Sequence, residues 1–241
     1  MSYRKPTLEE IVLRLRFSEG GLSHGYGVEL VSKLKGLGLT DIQMAATLDA
    51  VPATPAESPS PRVLPRMRCW DDQHLRLVQI AQDMIVINQT KQYLGWSQFR
   101  ELVEGVASFL DKDKLFATLK DLELRALDRM SIPRPSYRFS DWMQCDGTYL
   151  PQFYQDATTS LDVDMGIGLL ELDGFNRQFH AHAQVKAKEV ELRLQTVLAR
   201  RITADDNWRT VLEELHTESN SVFENVITDR VRYEIMQGWE K

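Results

Sequence analysis

Cysteine is scarce. The 241 residues hold only Cys69 and Cys145, too few for a secreted disulfide scaffold, and a chain of this length does not need one. Neither has a histidine at zinc-ligand spacing, so both read as plain thiols. Long apolar runs are missing as well. No stretch approaches the roughly eighteen residues that span a bilayer. The opening Met1-Ser-Tyr-Arg-Lys-Pro6 is charged and then broken by proline, with no apolar signal-peptide segment behind it. These absences predict a cytoplasmic protein that makes no membrane contact. An excess of positive charge is missing too: 29 Lys and Arg against 35 Asp and Glu leave a net charge of −6. Such a chain lacks the global field that drives non-specific nucleic-acid binding, although it leaves room for a local basic patch.

What is present suits a folded domain. Hydrophobic residues make up 43% and charged residues 27%, enough to bury a core. At about 150 residues per domain the length allows one large domain or two small ones.

Along the chain, Ile11, Leu13, Leu15 and Phe17 alternate with Arg14 and Arg16, the period of a half-buried strand. Leu30, Val31, Leu34 and Leu37 form a short helical stripe after a glycine-rich loop. Residues 52–65 hold Pro52, Pro55, Pro59, Pro61 and Pro65. Proline fixes φ and removes a donor, so neither helix nor sheet is expected to continue through them. Leu75–Ala81 and Met84–Asn88 read as a hairpin around Gln82-Asp83, apolar enough to be covered on both faces. Trp96, Phe99, Leu102, Val103, Val106, Phe109 and Leu110 recur at helical spacing, and a strand is expected around Leu122–Ser131. Beyond Pro133, Gln178–Lys186 and Glu189–Leu198 alternate as two strands that pair as a hairpin. Their outer faces would carry His180, His182 and Gln184 beside Glu189, Glu191, Arg193 and Gln195. Thr203-Ala-Asp-Asp206 resembles a capping box. It opens a helical segment marked by Trp208, Val211, Leu212, Leu215, Val222, Phe223 and Val226. Thr228 and Asp229 are placed to cap a last helix. Strands and helices mix without strict alternation. The expected fold is α+β: an antiparallel sheet with helices on one face and a long C-terminal helical segment. It is read as one domain over 1–241, with halves 1–132 and 133–241.

Four ordered stretches carry a resemblance. They are Pro6-x-Leu8-x-Glu10 with Leu15-Arg16-Phe17, and Val86-Ile87-Asn88 with Tyr93-x-Gly95-Trp96-x-x-Phe99. The third is Leu124-Arg125 through Asp128-Arg129 to Ile132-Pro133, and the last is Leu215-His216, Phe223 and Ile227-Thr228-Asp229. Together they resemble an uncharacterised, sporadically distributed family of bacterial and archaeal proteins of about this length, with no assigned activity. The third stretch departs from the family pattern at Ala126 and Asp128, where an aromatic and an asparagine are expected. The resemblance implies an α+β fold. Its patchy distribution implies horizontally moved genes, including antiviral defence cassettes.

Several constellations bear on chemistry. His180 and His182, two apart on one strand, share a face and suit a metal, with Glu189 or Glu191 as a carboxylate from the neighbouring strand. Asp162 and Asp164, also two apart, suit a cation or acid–base work, with Glu171 or Asp173 nearby. Gly20-Gly21-Leu-Ser-His24-Gly25-Tyr-Gly27 sits between strand and helix but has no Gly-Lys-Ser/Thr ending. No nucleophile-elbow spacing occurs. Arg125, Arg129, Arg134 and Arg138 interleave with Tyr137, Phe139 and Trp142. That mixture suits protein interfaces, and also stacking on nucleic-acid bases.

The reading is therefore a non-enzymatic protein-binding or regulatory component, with its partner encoded nearby and no cofactor. Arg125, Arg129, Arg134, Tyr137, Arg138 and Trp142 are the candidate partner-binding residues. The alternatives are a metal-dependent nuclease or hydrolase using Asp162, Asp164, His180 and His182, and a nucleic-acid binder.

Overall fold

Alternation sets the first strand. Ile11, Leu13, Leu15 and Phe17 are all buried in β1 (Leu8–Phe17), while Arg14 and Arg16 take the other face. The structure is a computed structural model that describes residues 3–18, 22, 24–49, 62–91, 93–134, 137–144, 161–167 and 174–237. For 24–25, 46–49, 62–65 and 161–167 it describes the backbone. Gly20, Gly21, residues 52–61, Cys145, Glu171 and Asp173 lie outside the described residues.

The chain gathers into two compact units. The first is Val12–Leu122 with Arg201–Asp206, and the second is Met1–Ile11, Glu123–Arg200 and Asn207–Lys241. The division falls at Leu122/Glu123, inside β6 (Leu119–Pro133), so Pro133 ends that strand and does not part the units.

The first unit holds α1 (His24–Leu34), β2 (Leu39–Asp49), β3 (Arg62–Asp71), β4 (Arg76–Ile80), β5 (Met84–Gln89) and α2 (Trp96–Lys112). Its strand order is β2-β3-β4-β5-β1-β6. Successive pairs from β2 to β5 are antiparallel. Helix α2 buries Phe99, Leu102, Val103, Val106, Ala107 and Leu110 and packs on β5, while α1 packs on β2 and β3. In β5, Ile85 to Gln89 are all buried, as expected of a strand covered on both faces. Gly38 ends the first helical segment at φ 79°, a left-handed position that favours glycine.

Residues 52–65 need correction at their end. Arg62–Asp71 is a strand, and Pro65 sits in it opposite Ala46 of β2. The β4 register covers β3 only from Met67 to Trp70. Pro65 therefore lies where β3 has one ladder to satisfy, and a missing donor is tolerated on such an edge. Cys69 of β3 is a free, fully buried thiol, pushed up to about 11 by burial.

The second unit holds α3 (Phe139–Trp142), β7 (Leu161–Ile167), β8 (Phe175–Val185), β9 (Glu189–Arg201) and α4 (Trp208–Val226), with the order β1-β6-β9-β8-β7. Both β7/β8 and β8/β9 are antiparallel. The inner face of the sheet (Met130, Ile132, Ala181, Ala183, Leu192 and Leu194 among others) forms one core with Trp142, Ile227 and Val231. The fold is thus α+β with an antiparallel sheet and a long C-terminal helix. Among the described residues no helix is long and apolar enough to cross a membrane.

Two expected cap hydroxyls are engaged elsewhere. The carboxylate of Asp206 accepts from both the backbone N–H and the hydroxyl of Thr203, at 2.8 Å each, and so closes a turn. Asn207, not Thr203, caps α4, its side chain accepting from Arg209 N–H at 3.0 Å. The Thr228 hydroxyl is likewise taken, donating to the Asp141 carbonyl at 2.7 Å. The helical segment expected beyond it is present: it starts at Asp229 and continues as a π turn, Val231–Ile235.

Candidate functional site

The arginine and aromatic stretch separates by face. Arg125 and Arg129 are exposed on β6, and Arg134 and Arg138 are exposed beyond it. Tyr137 and Trp142 point the other way, 5% and 1% exposed, into the core of the second unit. The cause is local. β6 keeps its alternation to Pro133, and the Tyr137 N–H then closes a turn onto the Arg134 carbonyl. The arginines thus face solvent without the rings, and the six residues do not form one surface. Arg230 rather than a neighbouring arginine stacks on Trp142, at 4.3 Å from the ring centroid.

The open face of β6, β8 and β9 is polar. At its centre Glu191 is only 2% exposed. It accepts from Arg129 at 2.6 Å, from Arg193 at 2.5 Å and from Lys186. Arg129 also reaches Glu9 at 3.1 Å, and Ser131 donates to Glu189. The Lys186 contact, with the two arginines, holds the Glu191 carboxyl down at about 2 against the penalty of its burial. A depressed folded value means stability that is present above the ordinary 4.5 and is lost as pH falls toward 2. Acid titration of Glu191→Gln, followed by circular dichroism, is therefore expected to lack the part of the wild-type stability loss that falls in this window. Glu191 was a candidate metal carboxylate. The structure commits it instead to three cations.

The alternating pattern puts His180 and His182 on the outer face of β8, half-buried and exposed respectively. Their cross-strand partners on β9 are Gln195 and Arg193. On the other side the register pairs His182 with Asp162 and His180 with Asp164 of β7. The four residues that the sequence offered for a metal thus occupy adjacent positions on one face of one strand pair. Among the residues whose side chains are described, no three His, Cys, Asp or Glu cluster at metal-ligand distance. Those of β7 are not in that set. The register between β7 and β8 carried no signal in the sequence.

The sequence also missed β2. It ends the strand order of the first unit and, among the described residues, pairs only with β3. Over Leu39–Asp49 it carries no Lys, Arg or Pro. Thr40, Ile42, Gln43 and Met44 are exposed, Met44 to 70%. Long edge strands are normally blunted by lysine, proline or a bulge, since their unpaired backbone groups invite another strand. The register of β2 does shift, between Leu39 and Asp41, but runs regularly from there to Asp49.

No protein-family model matches this chain, and no curated protein matches it.

Proposed function

We propose that this chain is a non-enzymatic protein-interaction component, and that β2 receives an extended strand of a partner protein. The observation that supports this is the unblunted edge: Ile42 and Met44 exposed on one face of a strand without Lys, Arg or Pro. Strand addition gains affinity from backbone hydrogen bonds and specificity from alternate side chains. The only charges on β2 are Asp41 and Asp49. The partner strand is therefore apolar on alternate positions and flanked by Lys or Arg, which pair with acids across a ladder. A partner encoded beside this chain is the first place to look.

Co-expression with the products of the neighbouring genes tests the reading. One product co-purifies with the wild type and is lost with Met44→Lys, which places a charge on the exposed face without touching the core. Recovery of a lone monomer beside every neighbour overturns it. So does a partner that Met44→Lys retains, or a self-dimer through β2 that excludes any other protein.

A further inference from the structure

We propose that Asp162, Asp164, His180 and His182 form a binding site for one transition-metal dication of the zinc type on the β7–β8 strand pair. The argument rests on register. Asp162 stands opposite His182 and Asp164 opposite His180, two successive cross-strand pairs on the same face. Directly opposed residues of an antiparallel pair have Cβ atoms about 4.5–5.5 Å apart, and residues two along a strand share a face. The four positions thus mark the corners of a small rectangle on the strand pair, and imidazole and carboxylate are the group types they bring together. Those groups bind zinc at about 2.0–2.2 Å.

The surroundings on β9 fit. Gln195, opposite His180, is neutral. Arg193, opposite His182, is the nearest cation in register, but it is paired with Glu191 at 2.5 Å. Arg129 and Lys186, which share Glu191, also meet Glu9 and Glu189, so three carboxylates answer three cations. Two aspartates bring two negative charges, which match a dication. Two imidazoles select zinc, cobalt or nickel over magnesium and calcium, which take oxygen ligands. This inference is independent of the strand-addition reading. That reading concerns β2 of the other unit, and neither test bears on the other.

Calorimetric titration of the tag-free full chain with zinc chloride is the test. One zinc per chain is expected, with binding lost in the double variant His180→Gln/His182→Gln and weakened in Asp164→Asn. His216→Gln, on α4, serves as the control among the five histidines and leaves binding unchanged. Should the double variant fail to fold, the cobalt-loaded chain decides. Wild type shows the intense visible absorption of a four-coordinate ion, and Asp164→Asn loses it. Absence of zinc binding, zinc that persists without both histidines, zinc lost with His216→Gln, a magnesium preference, or the weak spectrum of six-coordinate cobalt overturns the proposal.

Discussion

Asp128→Asn is expected to stabilise the protein by about 4 kcal/mol near pH 8 and to leave it nearly unchanged near pH 4. Asp128 lies on the inward face of β6, between buried Ala126 and Met130. One carboxylate oxygen accepts from the Thr7 hydroxyl at 2.7 Å. Burial raises this carboxyl to about 7, and the Thr7 hydrogen bond only partly offsets it. The folded protein therefore holds a proton that the unfolded chain releases near 3.8. Stability from this group is full below that value and declines as pH rises toward 7, where the carboxyl ionises in the fold as well. The interval corresponds to about 4 kcal/mol once it is fully crossed. Asparagine keeps the acceptor oxygen for Thr7 and cannot ionise. Urea unfolding of both proteins at the two pH values measures the difference. A gap that does not grow with pH would show that the carboxyl is already ionised in the fold.

Trp142→Ala is expected to cost about 3–5 kcal/mol, the usual range for truncating a large buried aromatic. Trp142 is among the largest fully buried side chains of the protein. It packs in the core that joins the inner sheet face to Ile227 and Val231, and it carries the stacked Arg230. The truncation opens a cavity and also removes the ring that orders Arg230, which reaches Asp141 at 3.1 Å. The buried indole N–H has no hydrogen-bond partner among the described residues. Trp142→Phe removes that orphan donor while keeping most of the ring, so it is expected to cost much less. Thermal unfolding of the pair separates the two effects. Equal losses would mean that the indole itself, not the filled volume, is what the core requires.

Elements buried on one face were legible from their period. β1 alternates from Ile11 to Phe17, β8 does so over Ala181–Gln184, and α2 repeats its apolar residues at helical spacing, because one side of each is pressed against a core. β2 was illegible for the opposite reason. Ile42 and Met44 are exposed, so no burial pattern disciplines them. Pro65 misled because the rule against proline in sheets holds only where both ladders must be satisfied. The burial of Asp128 carried no signal in the sequence, because its partner Thr7 lies on a distant segment of the chain. The caps failed on competition. Thr203 and Thr228 each have the right chemistry, but nearer groups claim their hydroxyls.

Local patterns along the chain already carry the α+β mixture, the strand and helix periods, and the sharing of a face by His180 with His182 and by Asp162 with Asp164. These follow from rules acting over a few residues. Packing between distant parts of the chain turns Tyr137 and Trp142 inward while Arg125, Arg129, Arg134 and Arg138 stay out. It alone seated Glu191 among three cations, left β2 at an edge, and set Asp162 against His182. Each depends on which distant strand pairs with which, and in what register, and a shift of one residue would reverse every face. That choice is made by the summed burial of whole strands, which no local pattern in the chain contains.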